Sequence, residues 1–302
     1  MQSNKLSKKP RVKEFSFVGI GTSWKVVIYD DMDIEAFNLV KEKVKKRVED
    51  FDQNYSRFKG NSLIGLIAKK AGTYPMPEDF NKLYSFYKKM YKITNGQVTP
   101  LIGQTIADLG YDANYSFKEK HQLNPVPEWE EVMDFDGSNL KVKRPVLLDF
   151  GAAGKGYLVD EVALVLNNLG VNAYCIDASG DILYENPKRQ ISIGLEDPVD
   201  PNLAIGVVEI NSGSVCGSAI NRRKWLNHNH IIEPISQKSV TDKVATWALA
   251  KSAMLADGLA TSLFFVEPLV LKRHFSFEYV TLDKEHIADY SPYFNDKLFI
   301  KT

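Results

Sequence analysis

The sequence predicts an α+β fold of mixed, largely antiparallel sheets with packed helices. Two observations predict this class. Helical and strand-like hydrophobic periodicities are interleaved along the 302 residues, and several strand-like stretches follow one another with only a short turn between them, as in β-hairpins. A doubly wound parallel sheet would instead alternate strand and helix regularly.

The first half of the chain predicts one strand region and two amphipathic helices. In the strand region, Gly19 and Gly21 predict a bulge or a sharp bend, so a hairpin or an edge strand opens the fold. Residues 115–145 are rich in Pro, Asn and charge, which predicts a variable surface insertion. The elements are, in order, a strand at 14–30, a helix at 33–52 and a helix at 78–94.

The second half begins with an apolar strand, a glycine-rich turn and a periodic helix over residues 147–170. Helical spacing returns at residues 246–266, where small and apolar side chains dominate. Between these two segments the alternating pattern predicts strands at 172–186, 189–198, 204–218 and around 230–236.

The composition narrows the function classes. Lys plus Arg and Asp plus Glu balance at 38 each, so no overall field attracts nucleic acid or an anionic membrane. Cys175 and Cys216 are too few and too far apart for a disulfide framework or a CxxC site. No apolar run is long enough for a membrane span, and the first 15 residues lack the apolar core of an export signal. We therefore expect a cytoplasmic protein, or an exported, periplasmic one if a signal has been removed.

The turn at residues 151–156 has the parts of a phosphate-binding loop. A Walker loop needs four residues between its first glycine and the Gly-Lys pair, followed by Ser or Thr. Here Gly151 is only three residues before Gly154, and Gly156 follows Lys155. The spacing also departs from the GxGxxG dinucleotide motif. By itself this segment is compatible with a tight turn and a solvated lysine.

A second feature lies in the last predicted helix. Asp257 and Thr261 are four residues apart, so their oxygens share one helix face. A carboxylate among small apolar residues is costly unless it is paired or binds a metal, and two hard oxygens suit Mg²⁺. The alternative is that Asp257 caps or ends a helix before Gly258.

Two histidines offer a candidate base. His228 and His230 alternate, so on a strand both face the same side. They lack the further ligands of a zinc site. His230 is either a surface residue or a general base near a phosphate.

Taken in order, seven segments resemble the ApbE family of flavin transferases, FAD:protein FMN transferases. The resemblance covers nearly the whole chain, so we expect residues 1–12 to be a flexible N-terminal segment and residues 13–302 to form a single ApbE-like domain. The segments are VGIGTSW with YSRFKGNSLIGLI, GQVTPLIGQTIADLGY, LDFGAAGKGYLVD, IDASGDIL, NHIIEPIS and MLADGLATSLF.

The resemblance implies a reaction and a set of roles. FAD would be split at its pyrophosphate, FMN joined to a Thr or Ser hydroxyl of a target flavoprotein, and AMP released, with Mg²⁺ neutralising the phosphates. Lys155 and His230 would be catalytic, His230 as the base. The metal ligands would be Asp257, Thr261 and the backbone oxygens of Ala152 and Ala260. The FAD contacts would be Ile20, Phe58, Gln97, Val98, Thr99, Asp149, Lys155 and Ile231.

The chain departs from the family pattern at several positions. Leu101 follows Thr99-Pro100 where an Asp-Pro-Thr is usual, Ser179 replaces a glycine, Cys216 stands in the TSG segment, and Glu233 replaces an aspartate. The target would be a redox-pump subunit or a soluble reductase. Hydrolysis of FAD to FMN and AMP, or FAD binding without catalysis, are the alternative functions.

Overall fold

The computed structural model describes residues 12–300, so the predicted flexible segment 1–12 lies outside the described residues except for Val12. The predicted α+β class is confirmed: an eight-stranded sheet, four smaller sheets and the helices make up the described chain. Every strand pairing in these sheets is antiparallel.

The helices of residues 12–300 are α1 Ile34–Tyr55, α2 Leu63–Ile67, α3 Phe80–Ile93, α4 Gly103–Asp108, α5 Trp129–Val132, α6 Gly154–Asn168, α7 Ala253–Ser262 and α8 Pro268–Lys272, with 3₁₀ turns at Pro100–Ile102 and Pro292–Phe294. The strands are β1 Lys13–Gly19, β2 Thr22–Ile28, β3 Gly72–Pro75, β4 Met133–Phe135, β5 Asn139–Val142, β6 Tyr174–Asp177, β7 Asp181–Glu185, β8 Ile191–Glu196, β9 Ala204–Ile210, β10 Ser212–Ala219, β11 Lys224–Trp225, β12 His228–Asn229, β13 Ile232–Glu233, β14 Lys238–Ser239, β15 Lys243–Ala250, β16 Glu278–Asp283 and β17 Ala288–Tyr290.

The large sheet has the strand order β1-β2-β6-β7-β10-β15-β16-β17. Helices α6 and α7 pack on each other and on the central strands, within the larger apolar core. A second core, which includes the β8–β9 hairpin, contains residues of the same central strands. The middle of the sheet is therefore covered on both faces, and α6 and α7 are held in fixed positions over it.

The chain opens with the predicted hairpin. β1 pairs with β2 from Lys13↔Ile28 to Gly19↔Thr22, and the two turn residues both have positive φ, 47° at Ile20 and 74° at Gly21. Two residues with positive φ are typical of the type I′ turn, whose twist matches the flanking strands. β1 is also one of the two edge strands of the large sheet.

The prediction of one helix over residues 246–266 is wrong in its first part. Residues Lys243–Ala250 form β15, a central strand, and α7 begins only at Ala253. Because β15 is covered on both faces, its small and apolar residues do not alternate with polar ones, and such runs do not distinguish a strand from a helix. Ser252 begins α7, since its Oγ accepts a hydrogen bond from Leu255 N.

The predicted surface insertion at residues 115–145 is only partly correct. Its second part contains α5 and the strands β4 and β5, and β5 also pairs with β3, from earlier in the chain, to complete a three-stranded sheet. Trp129, Leu140 and Val142 are buried in the main core. Apolar residues spaced within a polar segment therefore supply one end of the core, which the average composition of the segment concealed.

None of the helices in residues 12–300 combines the length and the apolar character needed to cross a bilayer.

Candidate metal and phosphate site

Helices α6 and α7 meet at Gly156. The backbone N–H of Gly156 donates to Asp257 Oδ2 at 2.8 Å. A Cβ at Gly156 would lie 2.2 Å from the carbonyl oxygen of Ala253 and 2.6 Å from Asp257 Cβ. The glycine is therefore required by the close approach of the two helices. This contact brings the glycine-rich turn and the Asp257 face together, as the sequence predicts.

We expect Gly156→Ala to separate the two helices. The added methyl group overlaps with backbone atoms that cannot rotate away, so unfolding free energy should fall by about 1–3 kcal/mol, the usual cost of overpacking. Urea unfolding measures this change. Gly194→Ala is the matched control, since its Cβ would meet Ala204 Cβ at an ordinary 3.4 Å. Equal stability of the two variants would contradict the tight contact.

The predicted metal ligands lie on facing elements. Thr261 Oγ1 donates to the Ala152 carbonyl oxygen, and the two oxygens are 3.2 Å apart. Two neighbouring ligands of an octahedral Mg²⁺, each at about 2.1 Å, would be about 3 Å apart. The two oxygens thus have a spacing that fits one cation. The Ala260 carbonyl oxygen accepts a 2.6 Å hydrogen bond from Thr246 Oγ1, so one of its lone pairs is already used.

The donor set is poor in carboxylates. Residues 12–300 contain no cluster of three or more His, Cys, Asp or Glu side chains arranged to hold a metal. A cation bound by Asp257, Thr261 and Ala152 would keep open positions. Mg²⁺ binds in this way, with few protein ligands and the remaining positions filled by water and phosphate oxygens.

Lys155 contacts an acid that the sequence analysis gave no role. Its Nζ lies 2.9 Å from Asp181 Oδ2 and donates to the Ala178 carbonyl oxygen at 3.0 Å. Asp181 is fully buried, yet neither of its carboxylate oxygens has a hydrogen bond of good geometry within residues 12–300. A possible sequence signal was the position of this acid after the Ser179-Gly180 turn, at the start of a buried strand.

The charges of Lys155, Asp181 and Asp257 influence one another. Burial raises the pKa of Asp257 well above its ordinary value, and the negative charge of Asp181 raises it further. Burial also raises the pKa of Asp181, while Lys155 opposes that rise. Burial lowers the pKa of Lys155, but the two carboxylates outweigh it and the net shift is upward. One ammonium therefore faces two buried acids, and a bound cation would relieve the remaining repulsion.

Asp149, a predicted FAD contact, is bound by a neighbouring arginine. Its Oδ2 lies 2.5 Å from Arg57 Nε, and its Oδ1 accepts a 2.6 Å hydrogen bond from Gly151 N. These contacts fix the turn that carries Ala152. Sequence reasoning did not single out Arg57, although it lies in the YSRF segment, because only the fold brings it to Asp149.

Phe58 belongs to an aromatic group beside Arg57. The Arg57 guanidinium lies 4.2 Å from the centre of the Phe58 ring. The ring also stacks on Tyr115, with centroids 5.5 Å apart and nearly parallel planes. Tyr111 stacks on Trp225 at 5.0 Å. These rings pack against one another and against Arg57, so the predicted contact of Phe58 with FAD stays a prediction.

The remaining predicted FAD contacts are spread around the site. Val98 and Thr99 are buried, and Thr99 Oγ1 accepts a hydrogen bond from Leu101 N, so their side chains pack in the protein interior.

Gln97 lines an open depression of about 280 Å³ next to the 232–239 hairpin. Ile20 lies at the tip of the β1–β2 hairpin, and Ile231 is buried. Their contacts with FAD stay predictions.

His230 and His228 have different surroundings. His228 Nε2 lies 3.3 Å from Glu119 Oε2. The Nδ1 atom of His230 is buried and has no hydrogen-bond partner within residues 12–300. Burial and the nearby charge of Arg223 lower the pKa of His230 to about 4, although Asp149 acts in the opposite direction. His230 is therefore neutral at pH 7 and able to accept a proton.

The lowered pKa of His230 predicts a pH dependence of stability. Unfolded histidine titrates near pH 6.5, whereas folded His230 titrates near 4. Its contribution to the unfolding free energy is therefore complete above pH 6.5 and is lost as the pH falls from 6.5 to 4. Urea unfolding of His230→Gln should show a shallower loss over this range than the unmodified protein. His274→Gln, which changes an exposed histidine, is the control; three parallel profiles would contradict the shift.

Together these elements define a class: an antiparallel α+β protein in which two packed helices bring several hard oxygens close to a lysine. Comparison with known proteins identifies the family. The model of the ApbE family matches residues 20–275. The chain therefore belongs to the ApbE family and is an enzyme of that family.

Relatives and solved structures agree with this assignment. The FAD:protein FMN transferase of Buchnera aphidicola subsp. Baizongia pistaciae is 25% identical and covers 88% of this chain and 84% of the relative. The Vibrio cholerae enzyme of the same name is 22% identical, over 81% and 78%. The crystal structure of the ApbE protein of Thermotoga maritima has a TM-score of 0.79 at 19% identity, covering 94% and 98%. The flavin transferase ApbE from Vibrio cholerae has a TM-score of 0.76 at 20% identity, covering 95% and 99%.

Proposed function

We propose that this protein is an Mg²⁺-dependent FAD:protein FMN transferase that attaches FMN to a Thr or Ser hydroxyl of a target flavoprotein. The observation that carries the proposal is the meeting of the Thr261–Ala152 oxygen pair and Asp257 with Lys155 at the start of α6. The names of the relatives, FAD:protein FMN transferase, support the same reaction.

In this reaction the acceptor hydroxyl oxygen attacks the phosphorus of the FMN half. The bond from that phosphorus to the bridging oxygen breaks, and AMP leaves with that oxygen. Bound Mg²⁺ would neutralise the pyrophosphate and the charge that develops on it. Asp257, Thr261 and the Ala152 carbonyl would hold the cation, and Lys155 would supply a second positive charge.

His230 is suited to take the proton of the acceptor hydroxyl. Its ring is neutral at pH 7, and its buried Nδ1 has no hydrogen-bond partner within residues 12–300, so that nitrogen is free to accept a proton. We expect His230→Ala to lower the transfer rate by about 10²–10⁴-fold, the usual contribution of a positioned acid or base. Unchanged transfer would remove His230 from the mechanism.

The reaction itself is tested by incubating the protein with FAD, Mg²⁺ and a candidate acceptor, either a redox-pump subunit or a soluble reductase. Transfer predicts an acceptor that stays fluorescent after denaturation, with one AMP released for each label. Free FMN with AMP and no labelled acceptor would support an FAD pyrophosphatase instead. FAD that binds and stays intact would support a storage function.

A further inference from the structure

Asp160 joins the helix that carries Lys155 to the helix that carries Asp257 and Thr261. It lies on α6, and its carboxylate bonds to the first turn of α7. Oδ1 accepts from Ala253 N at 2.7 Å and Oδ2 accepts from Met254 N at 3.0 Å. Neither the sequence motifs nor the proposed chemistry assigns Asp160 a role.

The carboxylate of Asp160 accepts hydrogen bonds from backbone N–H groups that have no partner within α7 itself. The first N–H groups of any helix lack intrahelical partners, and a negative charge is favourable near that end. The side chain of Ser252 satisfies only Leu255 N. Burial raises the pKa of Asp160 to about 6, while the two N–H donors oppose the rise, so the carboxylate is ionised at neutral pH. Part of the N-terminal cap of α7 is therefore supplied by Asp160, a residue of α6.

The geometry connects this cap to the cation site. Ala253, Asp257 and Thr261 are spaced four residues apart and share one face of α7. Gly156 and Asp160 are also four apart on α6. Gly156 bonds to Asp257, and Asp160 bonds to Ala253. The two contacts are therefore about one helical turn apart on each helix. Because α6 and α7 are antiparallel, the contact that comes later in α6 comes earlier in α7.

Two contacts one turn apart prevent α7 from sliding along α6 and from pivoting on it. A single contact would leave α7 free to pivot about that point. Thr261 and Ala152 are each four residues from the Asp257–Gly156 contact, and their oxygens are 3.2 Å apart. Mg²⁺ tolerates little deviation in ligand spacing, because it requires near-ideal octahedral geometry at about 2.0–2.1 Å. A small shift of α7 would therefore weaken cation binding without unfolding the protein.

We propose that Asp160 is a positioning residue that sets the register of α7 against α6 and thereby holds the cation-binding oxygens at the correct spacing. This inference rests on the proposed Mg²⁺-dependent function. Asp160 does not touch the cation or FAD; it acts through Ala253 and the helix that follows.

The test compares Asp160→Ala with Asp30→Ala. Asp30 is a matched control because its Oδ2 also accepts two backbone hydrogen bonds, from Asn172 N at 2.6 Å and Ala173 N at 3.0 Å. Binding of Mg²⁺ in the presence of FAD is followed by calorimetry and by the rise in melting temperature. We expect Asp160→Ala to raise the half-saturating Mg²⁺ concentration by about 10-fold or more, as for other residues that orient metal ligands. Asp30→Ala should leave that concentration unchanged although its melting temperature falls.

The conservative variant Asp160→Asn keeps one acceptor oxygen, so its half-saturating concentration should lie between those of the unmodified protein and Asp160→Ala. It also provides a folded variant if Asp160→Ala does not fold. If both Asp160 variants only lower the melting temperature and bind Mg²⁺ as tightly as the unmodified protein, Asp160 is a structural cap and the inference is wrong. If the unmodified protein itself binds no Mg²⁺ with FAD, the proposed function fails first, which is a different result.

Discussion

Asp257→Asn should reduce FMN transfer by at least about 10³-fold, which corresponds to about 4 kcal/mol of lost transition-state stabilisation. The substitution removes the one carboxylate among the predicted metal ligands while keeping its shape and an oxygen that can accept from Gly156 N. Rates are measured at saturating FAD with increasing Mg²⁺. The melting temperature of the variant should no longer rise when Mg²⁺ is added with FAD.

The same variant separates a metal ligand from a structural residue. Burial and Asp181 raise the pKa of Asp257, so its ionised form destabilises the metal-free fold. Metal-free Asp257→Asn should therefore be as stable as the unmodified protein, or more stable. Glu161→Gln is the control, since Glu161 is a buried acid on α6 that pairs with Arg47 and Lys82. A large loss of metal-free stability with normal Mg²⁺ binding in Asp257→Asn would contradict the assignment.

Lys155→Met should both abolish transfer and destabilise the protein. Without the ammonium, Asp181 is a buried acid with no opposing charge in contact, and breaking a buried ion pair in this way usually costs about 3–5 kcal/mol. Urea unfolding at pH 7 measures the loss. Because an isolated buried carboxylate takes up a proton more readily, the loss should be smaller at low pH.

The double variant Lys155→Met/Asp181→Asn distinguishes the two roles of Lys155. Removing both charges should recover much of the stability, since no uncompensated charge stays buried. Transfer should stay absent, since the phosphate contact is still missing. Recovery of transfer in the double variant would show that Lys155 serves only to neutralise Asp181.

The sequence predicts those parts of the fold that are determined by local patterns. In α1 the buried residues Val40, Val44 and Val48 repeat at helical spacing, and the glycine-containing turn after Gly19 produced the opening hairpin. β15 was predicted as helix because its environment is set by distant elements on both of its faces. A segment buried on two sides has no polar face to reveal its period.

The candidate site shows the same division. Asp257 and Thr261 were predicted from their i, i+4 spacing, whereas Lys155, whose loop departs from both phosphate-binding motifs, was assigned its role from the family resemblance. Their partners were not found: Asp181, Arg57 and Asp160 act through contacts between residues distant in the chain. The spacing of residues along the chain does not determine which distant side chain satisfies a buried charge or a helix end.

We propose that the glycine-rich turn and α7 form two halves of one cation and phosphate site. Crystals grown with FAD and Mn²⁺, which replaces Mg²⁺ and scatters anomalously, test it most directly. We predict an anomalous peak within bonding distance of Asp257, Thr261 and the Ala152 carbonyl oxygen, with the FAD pyrophosphate between the peak and Lys155. A peak elsewhere, or a pyrophosphate bound away from Lys155, would contradict the claim.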